Sequence, residues 1–135
     1  MRASEYLFQE SAQRDHWWYH VRRELLDWAM RRTLAGKTVG IHERVVDIGC
    51  GVGGNGSALR SWSRELIGVE PNREAREFAT KNRGYDFILE GAAESLEQVM
   101  SGRQVDALIA MDVLEHVRDD AAALASFHTL IRPGG

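Results

Sequence analysis

The residues best suited to chemistry form a glycine-rich loop that is headed by an acid. Asp47 stands two positions before Gly49, and the glycines Gly51, Gly53 and Gly54 follow it closely. Glycine lets a backbone turn tightly and approach a ligand, because no Cβ stands in the way. The loop follows a short β-branched run, so it predicts a ligand-binding turn at the carboxyl end of a buried strand.

Two classes of nucleotide ligand are compatible with the glycine spacing. Gly49, Gly51 and Gly54 satisfy G-x-G-x-x-G, which is typical of dinucleotide sites. Asp47 separates the two classes, because its carboxylate would repel a pyrophosphate and would attract a ligand that carries an ammonium and a sulfonium. The charge favours S-adenosylmethionine over NAD, and an NAD-dependent oxidoreductase stays as the alternative.

A second acid, Glu70, ends the next apolar run along the chain. If the two runs are adjacent parallel strands, Glu70 lies beside the glycine loop that follows Asp47. A carboxylate in that place can accept hydrogen bonds from both hydroxyls of a ribose. In dinucleotide-binding folds, an acid about 20 residues after the glycine loop has this role. The sequence therefore predicts that Glu70 binds the ribose of an adenosyl ligand.

A third group of polar residues has the pattern D-x-x-E-H and consists of Asp112, Glu115 and His116. Oxygen and imidazole groups can bind a divalent cation or accept a proton. The stronger alternative is that the segment begins a helix and lines a pocket. We therefore predict no metal site here and take His116 as the candidate for proton transfer.

These acids and glycines need a sheet to bring them together. Four short apolar runs are typical of buried strands: residues 44–48, 65–70, 86–90 and 105–111. Segments of helical composition separate and follow them: residues 54–62, 73–82, 95–100 and 119–131. Strands that alternate with helices predict right-handed crossovers and helices on both faces of a parallel sheet. The predicted fold class is α/β, with a Rossmann-like doubly wound parallel sheet.

Ahead of this core, residues 1–40 are predicted to form a helical arm, and residues 41–135 the core itself. A helix is predicted over residues 21–32, with an apolar face formed by Val21, Leu25, Trp28 and Ala29. An aromatic and basic cluster at residues 16–23 leads into it. Such side chains could form a lid over a pocket or could pack the helix onto the sheet, and both alternatives stay open.

Composition narrows the function classes. The chain has 135 residues, with 17 Lys and Arg against 20 Asp and Glu, so its formal net charge is −3. Binding to a nucleic-acid backbone needs a basic surface, so that class is disfavoured. The single cysteine, Cys50, excludes an intrachain disulfide, and the sequence has no apolar run long enough to span a membrane. We therefore expect a cytoplasmic protein.

The last residues bear on the extent of the domain. Pro133, Gly134 and Gly135 follow the last predicted helix and would normally lead into another strand. We therefore expect the domain to be truncated after its fourth strand and helix unit. The outer edge of the fourth strand would then lack a partner, and such an edge favours self-association.

The sequence resembles the class I S-adenosylmethionine-dependent methyltransferases. Four segments carry the resemblance, in the family's order: residues 45–54 (VVDIGCGVGG), 68–71 (GVEP), 106–117 (DALIAMDVLEHV) and 130–135 (LIRPGG). The D-x-x-E-H run is similar to one in ubiquinone-biosynthesis O-methyltransferases.

The resemblance implies a role for each matching residue. Asp47, Gly49, Gly51 and Gly53 would hold the methionyl end of S-adenosylmethionine, and Glu70 would hold its ribose. The turn at residues 90–96, with Ala93 at its centre, would contact the adenine, although relatives often have an aspartate where this chain has Ala92. Met111 and Asp112 would line the methionyl pocket.

The implied activity is transfer of a methyl group from S-adenosylmethionine to a small-molecule acceptor that the sequence does not identify. Two alternatives to this activity stay open: an NAD-dependent oxidoreductase, and a non-catalytic module that binds S-adenosylmethionine.

Overall fold

The computed structural model describes residues 4–5, 7–8, 11, 16–37, 40–81 and 84–135 of the chain. Its strands are β1 (His42–Ile48), β2 (Ser63–Val69), β3 (Phe87–Leu89) and β4 (Ala107–Ile109). Its helices are α1 (Trp17–Thr33), α2 (Gly56–Arg60), α3 (Arg73–Lys81), α4 (Leu96–Met100) and α5 (Asp120–Leu130). Short 3-10 turns lie at Ala93–Ser95 and Leu114–His116.

The four strands form one parallel sheet in the order β3-β2-β1-β4. In this register Asp47 of β1 lies opposite Gly68 of β2 and Ile109 of β4. All four strands therefore end at the same edge of the sheet. The glycine loop, Glu70 and the segment after β4 are gathered at that edge, as the sequence predicted.

Helices cover both faces of the sheet, because β1 and β2 are apolar on both sides. On one face, buried residues of α4 and α5 pack against Val46, Ile48 and their neighbours in β2. On the other face, Leu26 and Met30 of α1 pack with Val45, Leu59 and Leu66. The predicted α/β doubly wound fold is confirmed.

Most predicted elements occur close to their predicted bounds, although α1 begins four residues earlier than predicted, at Trp17. Among the strands, β4 differs most. It spans Ala107–Ile109 instead of residues 105–111. Val105 forms an isolated parallel bridge with Ile131, outside the strand proper. Beyond Ile109 the chain turns, and Asp112 has a positive φ of 54°, which no extended strand can accommodate.

The prediction of which side of α1 packs against the core was wrong. Val21, Leu25 and Trp28 are 47%, 57% and 57% exposed. The buried side carries Leu26 and Met30. Apolar residues occur around most of this helix, so their spacing alone did not identify the side that packs against Leu59 and Leu66.

Strand β4 lies at one edge of the sheet, as expected. Chain segments near Val105 cover the start of this edge, where the Arg132 N–H donates to the Val105 carbonyl at 3.0 Å. Self-association through the remaining edge stays a prediction. Among the described residues, no helix is both long and apolar enough to cross a membrane.

The packing of α1 leads to a stability prediction. Met30→Ala should lower the free energy of unfolding by about 2–4 kcal/mol, because it opens a cavity between α1 and the sheet. Val21→Ala, on the exposed side of the same helix, should change it by less than about 0.5 kcal/mol. Urea denaturation of both variants measures the difference. A larger loss for Val21→Ala than for Met30→Ala would contradict the packing described here.

Candidate functional site

Two adjoining cavities open at the carboxyl edge of the sheet, and Gly49 and Asp112 line both. The smaller has a volume of about 190 Å³ and lies between α1 and the glycine loop. The larger has a volume of about 380 Å³ and lies on the side of Glu70. A ligand that filled both cavities would therefore pass over Gly49.

The glycine loop has the backbone conformation that its composition predicts. Gly49, Gly51 and Gly53 have φ values of +64°, +56° and +89°, a region that side chains disfavour. A Cβ at Gly49 would lie 2.7 Å from Cγ2 of Val113, so no side chain fits there. At Gly51 the space is open, so a ligand can approach the bare backbone.

Glu70 connects the end of β2 to this loop. Its Oε2 accepts a hydrogen bond from the Gly51 N–H at 3.0 Å, and its Oε1 accepts one from the Asn72 N–H at 2.9 Å. Each carboxylate oxygen has two lone pairs, so each can accept one further hydrogen bond. Glu70 also lines the larger cavity, so those acceptors can serve a ligand in it.

Asp47 lies beneath the loop and is only 1% exposed. The Tyr85 hydroxyl donates to its Oδ2 at 2.6 Å, and the Asn55 side chain is a second hydrogen-bond partner. Burial raises the pKa of Asp47 to about 6, although these hydrogen bonds and the charge of Arg22 act in the opposite direction. The carboxyl group is therefore mainly ionised at neutral pH.

The position of Asp47 differs from the direct ligand contact that the sequence suggested. Its side chain is not among those lining the two cavities. Asn55, its hydrogen-bond partner, does line the smaller cavity. Asp47 can therefore act on a ligand there through its charge and through Asn55.

The arm supplies the opposite wall of the smaller cavity. Tyr19, Arg22 and Arg23 of α1 line it together with the loop. Arg22 pairs with Asp112 at 2.5 Å and is 15% exposed at its side chain, so this ion pair joins the arm to the end of β4. The sequence predicts that this segment covers a pocket or packs α1 onto the sheet, but it assigns Arg22 itself no role.

The larger cavity carries most of the other predicted residues. Ala93 and Glu94 line one part of this cavity, and Val113 and Val117 line an apolar part of the same cavity. The Ala92 N–H donates to Oγ of Ser95 at 3.2 Å, which braces the turn at Ala93. Met111 lines the smaller cavity instead, beside Asp112.

His116 also lines the larger cavity and ends a 3-10 turn. It is not among the residues that line the smaller cavity. Within the described part of the chain, no group of three or more His, Cys, Asp or Glu side chains is arranged to hold a metal ion. The proton-transfer role of His116 stays a prediction.

The single cysteine is buried inside this arrangement. A Cβ at Gly68 would lie 2.8 Å from Sγ of Cys50, so the thiol occupies space that the glycine leaves. Burial, together with the nearby Asp47 and Glu70 carboxylates, raises the pKa of the thiol. Cys50 is therefore a packing residue and lacks the thiolate character of a nucleophile.

Comparison with known proteins identifies the family. A family described as "Methyltransferase domain" matches residues 17–135, which is most of the chain. The chain belongs to this family. Among curated proteins it is similar to a ubiquinone biosynthesis O-methyltransferase of Aromatoleum aromaticum, with 30% identity over 143 residues, covering 95% of the chain and 57% of that protein.

Solved structures support the fold. The plantazolicin methyltransferase BamL, solved with a triazolic desmethylPZN analog and SAH, superposes with a TM-score of 0.76 at 21% identity, over 96% of this chain and 47% of BamL. The amino pentose methyltransferase CalS10 of Micromonospora echinaspora, solved with SAM bound, gives a TM-score of 0.70 at 17% identity, over 98% of this chain and 53% of CalS10. The chain spans 37% to 57% of the length of the first three curated relatives.

The buried acid of this methyltransferase domain leads to a stability prediction. The pKa of Asp47 is raised from 3.8 to about 6, so the folded chain holds this proton more tightly than the unfolded chain does. The contribution of this group to stability is therefore full below about pH 4 and is lost as the pH rises through about 6.

Asp47→Asn removes the charge and leaves an amide oxygen that can accept from Tyr85. It should raise the free energy of unfolding by about 3 kcal/mol at pH 8, and by much less at pH 4. Urea denaturation of the chain and the variant at both pH values measures the change. An equal gain at both values would show that the charge of Asp47 is not its origin.

Proposed function

We propose that this domain binds S-adenosylmethionine across the two cavities and transfers its methyl group to a small-molecule acceptor. The observation that carries the proposal is the joining of the cavities at Gly49, with Glu70 on one side and with Arg22 above a buried Asp47 on the other. The larger cavity would take the adenosine and the smaller the methionyl group.

The larger cavity suits an adenosine. The free lone pairs of Glu70 can accept hydrogen bonds from the two ribose hydroxyls. Val113 and Val117 offer apolar surface to the flat base. Because Ala92 stands where relatives often have an aspartate, the adenine amino group would be held by Glu94 or by the backbone of the Ala93 turn.

The smaller cavity suits an amino-acid group that carries both charges. Arg22 and Arg23 lie on its arm side and can attract the carboxylate. The negative charge of Asp47 lies beneath its floor, with Asn55 between that charge and the cavity, and it favours the ammonium. The cavity therefore places positive charge where the carboxylate of an amino acid would lie and negative charge where its ammonium group would lie.

S-adenosylmethionine, when bound, supplies an electrophilic methyl group on a sulfonium. The protein need then only hold the acceptor in line with that methyl and exclude water. Tyr19 and the neighbouring arginines of the arm are suited to that covering role. We propose that His116 accepts the proton of the acceptor, where the acceptor carries one.

The NAD-dependent alternative is less compatible with the site. A pyrophosphate would face the negative charges of both Asp47 and Glu70. The helix that follows the loop, α2, has Asn55 as its N-cap but only five residues, so it offers few aligned peptide dipoles to a pyrophosphate. Membership in a methyltransferase family supports the same choice.

The comparisons leave the acceptor open, because the names of the similar proteins refer to ubiquinone biosynthesis, to plantazolicin and to an amino pentose. A small organic acceptor is the common element, and a module that binds S-adenosylmethionine without catalysis is the remaining alternative.

The acidic net charge supports a partner other than nucleic acid. The lone cysteine supports a cytoplasmic location, and the edge of β4 supports self-association.

Ligand binding to the chain tests this assignment of the two cavities. Isothermal calorimetry would compare S-adenosylmethionine with 5′-methylthioadenosine, which lacks the amino-acid group, and with NAD. Glu70→Gln should weaken both adenosyl ligands by about tenfold, because it loses charge-assisted hydrogen bonds. Arg22→Met should weaken S-adenosylmethionine by a similar factor and leave 5′-methylthioadenosine within about twofold.

Two control variants carry the same changes away from the site. They are Glu43→Gln and Arg31→Met. Glu43 lies near the amino end of β1, and Arg31 lies on the exposed side of α1. Both should bind all ligands as the unmodified chain does. Tight binding of NAD with no heat from S-adenosylmethionine would refute the proposed function.

The role of His116 is tested separately. If it transfers a proton, His116→Gln should leave the affinity for S-adenosylmethionine within about twofold, because a general base contributes to the reaction and not to cofactor binding. Calorimetry measures that affinity. A loss of tenfold or more would show that His116 serves cofactor binding.

A further inference from the structure

Tyr85 lies outside the motifs that the sequence analysis identified, yet its hydroxyl reaches the centre of the site. It stands in the loop between α3 and β3, 38 positions from Asp47 in the chain. Its ring passes beside Gly68 of β2, and the hydroxyl donates to Oδ2 of Asp47 in β1 at 2.6 Å. The side chain therefore crosses one strand to contact the next.

Glycines from two other segments make room for this ring. A Cβ at Gly56, the first residue of α2, would lie 2.6 Å from Cε2 of Tyr85. A Cβ at Gly68 would lie 3.1 Å from Cδ1 of the same ring. The adjacent Gly84 has its own constraint, because a Cβ there would lie 2.6 Å from the carbonyl carbon of Gly56. The ring thus occupies a slot that side chains at these positions would fill.

We infer that Tyr85 is a positioning residue whose hydroxyl orients the Asp47 carboxylate beneath the smaller cavity and keeps it negative. Tyr85 thereby sets the affinity of this cavity for the ammonium group of the ligand. This inference rests on the proposed function, because it assumes that the charge of Asp47 favours the bound ammonium. It adds a residue that neither the motifs nor the family resemblance assigned.

The surroundings of Asp47 determine the direction of the effect. Burial and the carboxylate of Glu70, at the end of β2, favour the neutral form. Arg22 of α1 and the hydrogen bonds from Tyr85 and Asn55 favour the charged form. Loss of the Tyr85 hydroxyl must therefore raise the pKa of Asp47 above its value of about 6.

Tyr85 itself stays a donor throughout the working range. Its own burial and the neighbouring carboxylate of Asp47 raise the pKa of its hydroxyl well above the usual value. Cys50, the other titratable group beside it, is likewise held neutral, since burial raises the pKa of its thiol. Neither group therefore loses its proton between pH 5 and pH 8, so a binding midpoint that moves in Tyr85→Phe reports the titration of Asp47.

The test is the pH dependence of S-adenosylmethionine binding to the unmodified chain and to Tyr85→Phe. Affinity should rise with pH through about 6 in the unmodified chain, as Asp47 ionises. In Tyr85→Phe the midpoint should lie about one pH unit higher. The variant should then bind about threefold more weakly at pH 6.5 and almost equally at pH 8.5.

A control and a second variant separate positioning from a general structural effect. Ser63→Ala removes another buried hydroxyl, which donates to the Leu59 carbonyl at 2.8 Å, and it should leave the midpoint unchanged. Gly56→Ala should displace the ring and raise the midpoint as Tyr85→Phe does. A weakening of Tyr85→Phe that is the same at every pH, or no weakening at all, would overturn the inference.

A second measurement does not depend on binding. The carboxyl ¹³C shift of Asp47 reports its titration in the ligand-free chain, and it should move to higher pH in Tyr85→Phe and in Gly56→Ala. An unchanged titration overturns the role of Tyr85, whatever the ligand does. A shifted titration without any binding of S-adenosylmethionine would overturn the proposed function instead, and with it the link from Tyr85 to affinity.

Discussion

A buried negative charge at the end of the central strand is the constraint on which this site depends. Asp47 is almost fully removed from water, and a carboxylate in such a place is tolerated only when hydrogen bonds or a cation compensate it. Here the compensation comes from three different parts of the chain: the Tyr85 loop, Asn55 and Arg22 of the arm. The folded domain therefore holds a charge that lowers its stability when no ligand is bound. Such a cost is common where a binding site uses a buried charge to attract a ligand of opposite charge.

The sheet brings the second acid into place by a simpler route. Because β1 and β2 run parallel and in register up to Ile48 and Val69, the residue after each strand lies at the same edge. Glu70 then accepts the Gly51 N–H, so the turn on one strand is fixed by the acid that ends its neighbour. The backbone conformation of the glycine loop and the position of the ribose-binding candidate are thus parts of one arrangement. A change in strand register would disrupt both.

Much of this could be predicted from the sequence, because it depends on local patterns. The apolar runs predicted the sheet, and the glycines and the acid after the second strand predicted the edge at which Glu70 meets the loop. The contacts of Tyr85 and Arg22 could not be predicted in that way. Each depends on how a distant segment crosses or covers the sheet, and α1 carries apolar residues on more than one side, so the side that faces the core is decided by its fit against Leu59 and Leu66.

The burial of Cys50 gives the chain an internal reporter of opening. With one cysteine in the sequence, and with that thiol packed against Gly68 beneath the glycine loop, an alkylating reagent should react much faster once the loop has separated from β2. The rate of labelling therefore measures how often this part of the molecule unfolds locally. A nucleoside that bridges the loop and Glu70 would slow that rate in proportion to its occupancy, so one thiol reads out both local stability and ligand protection.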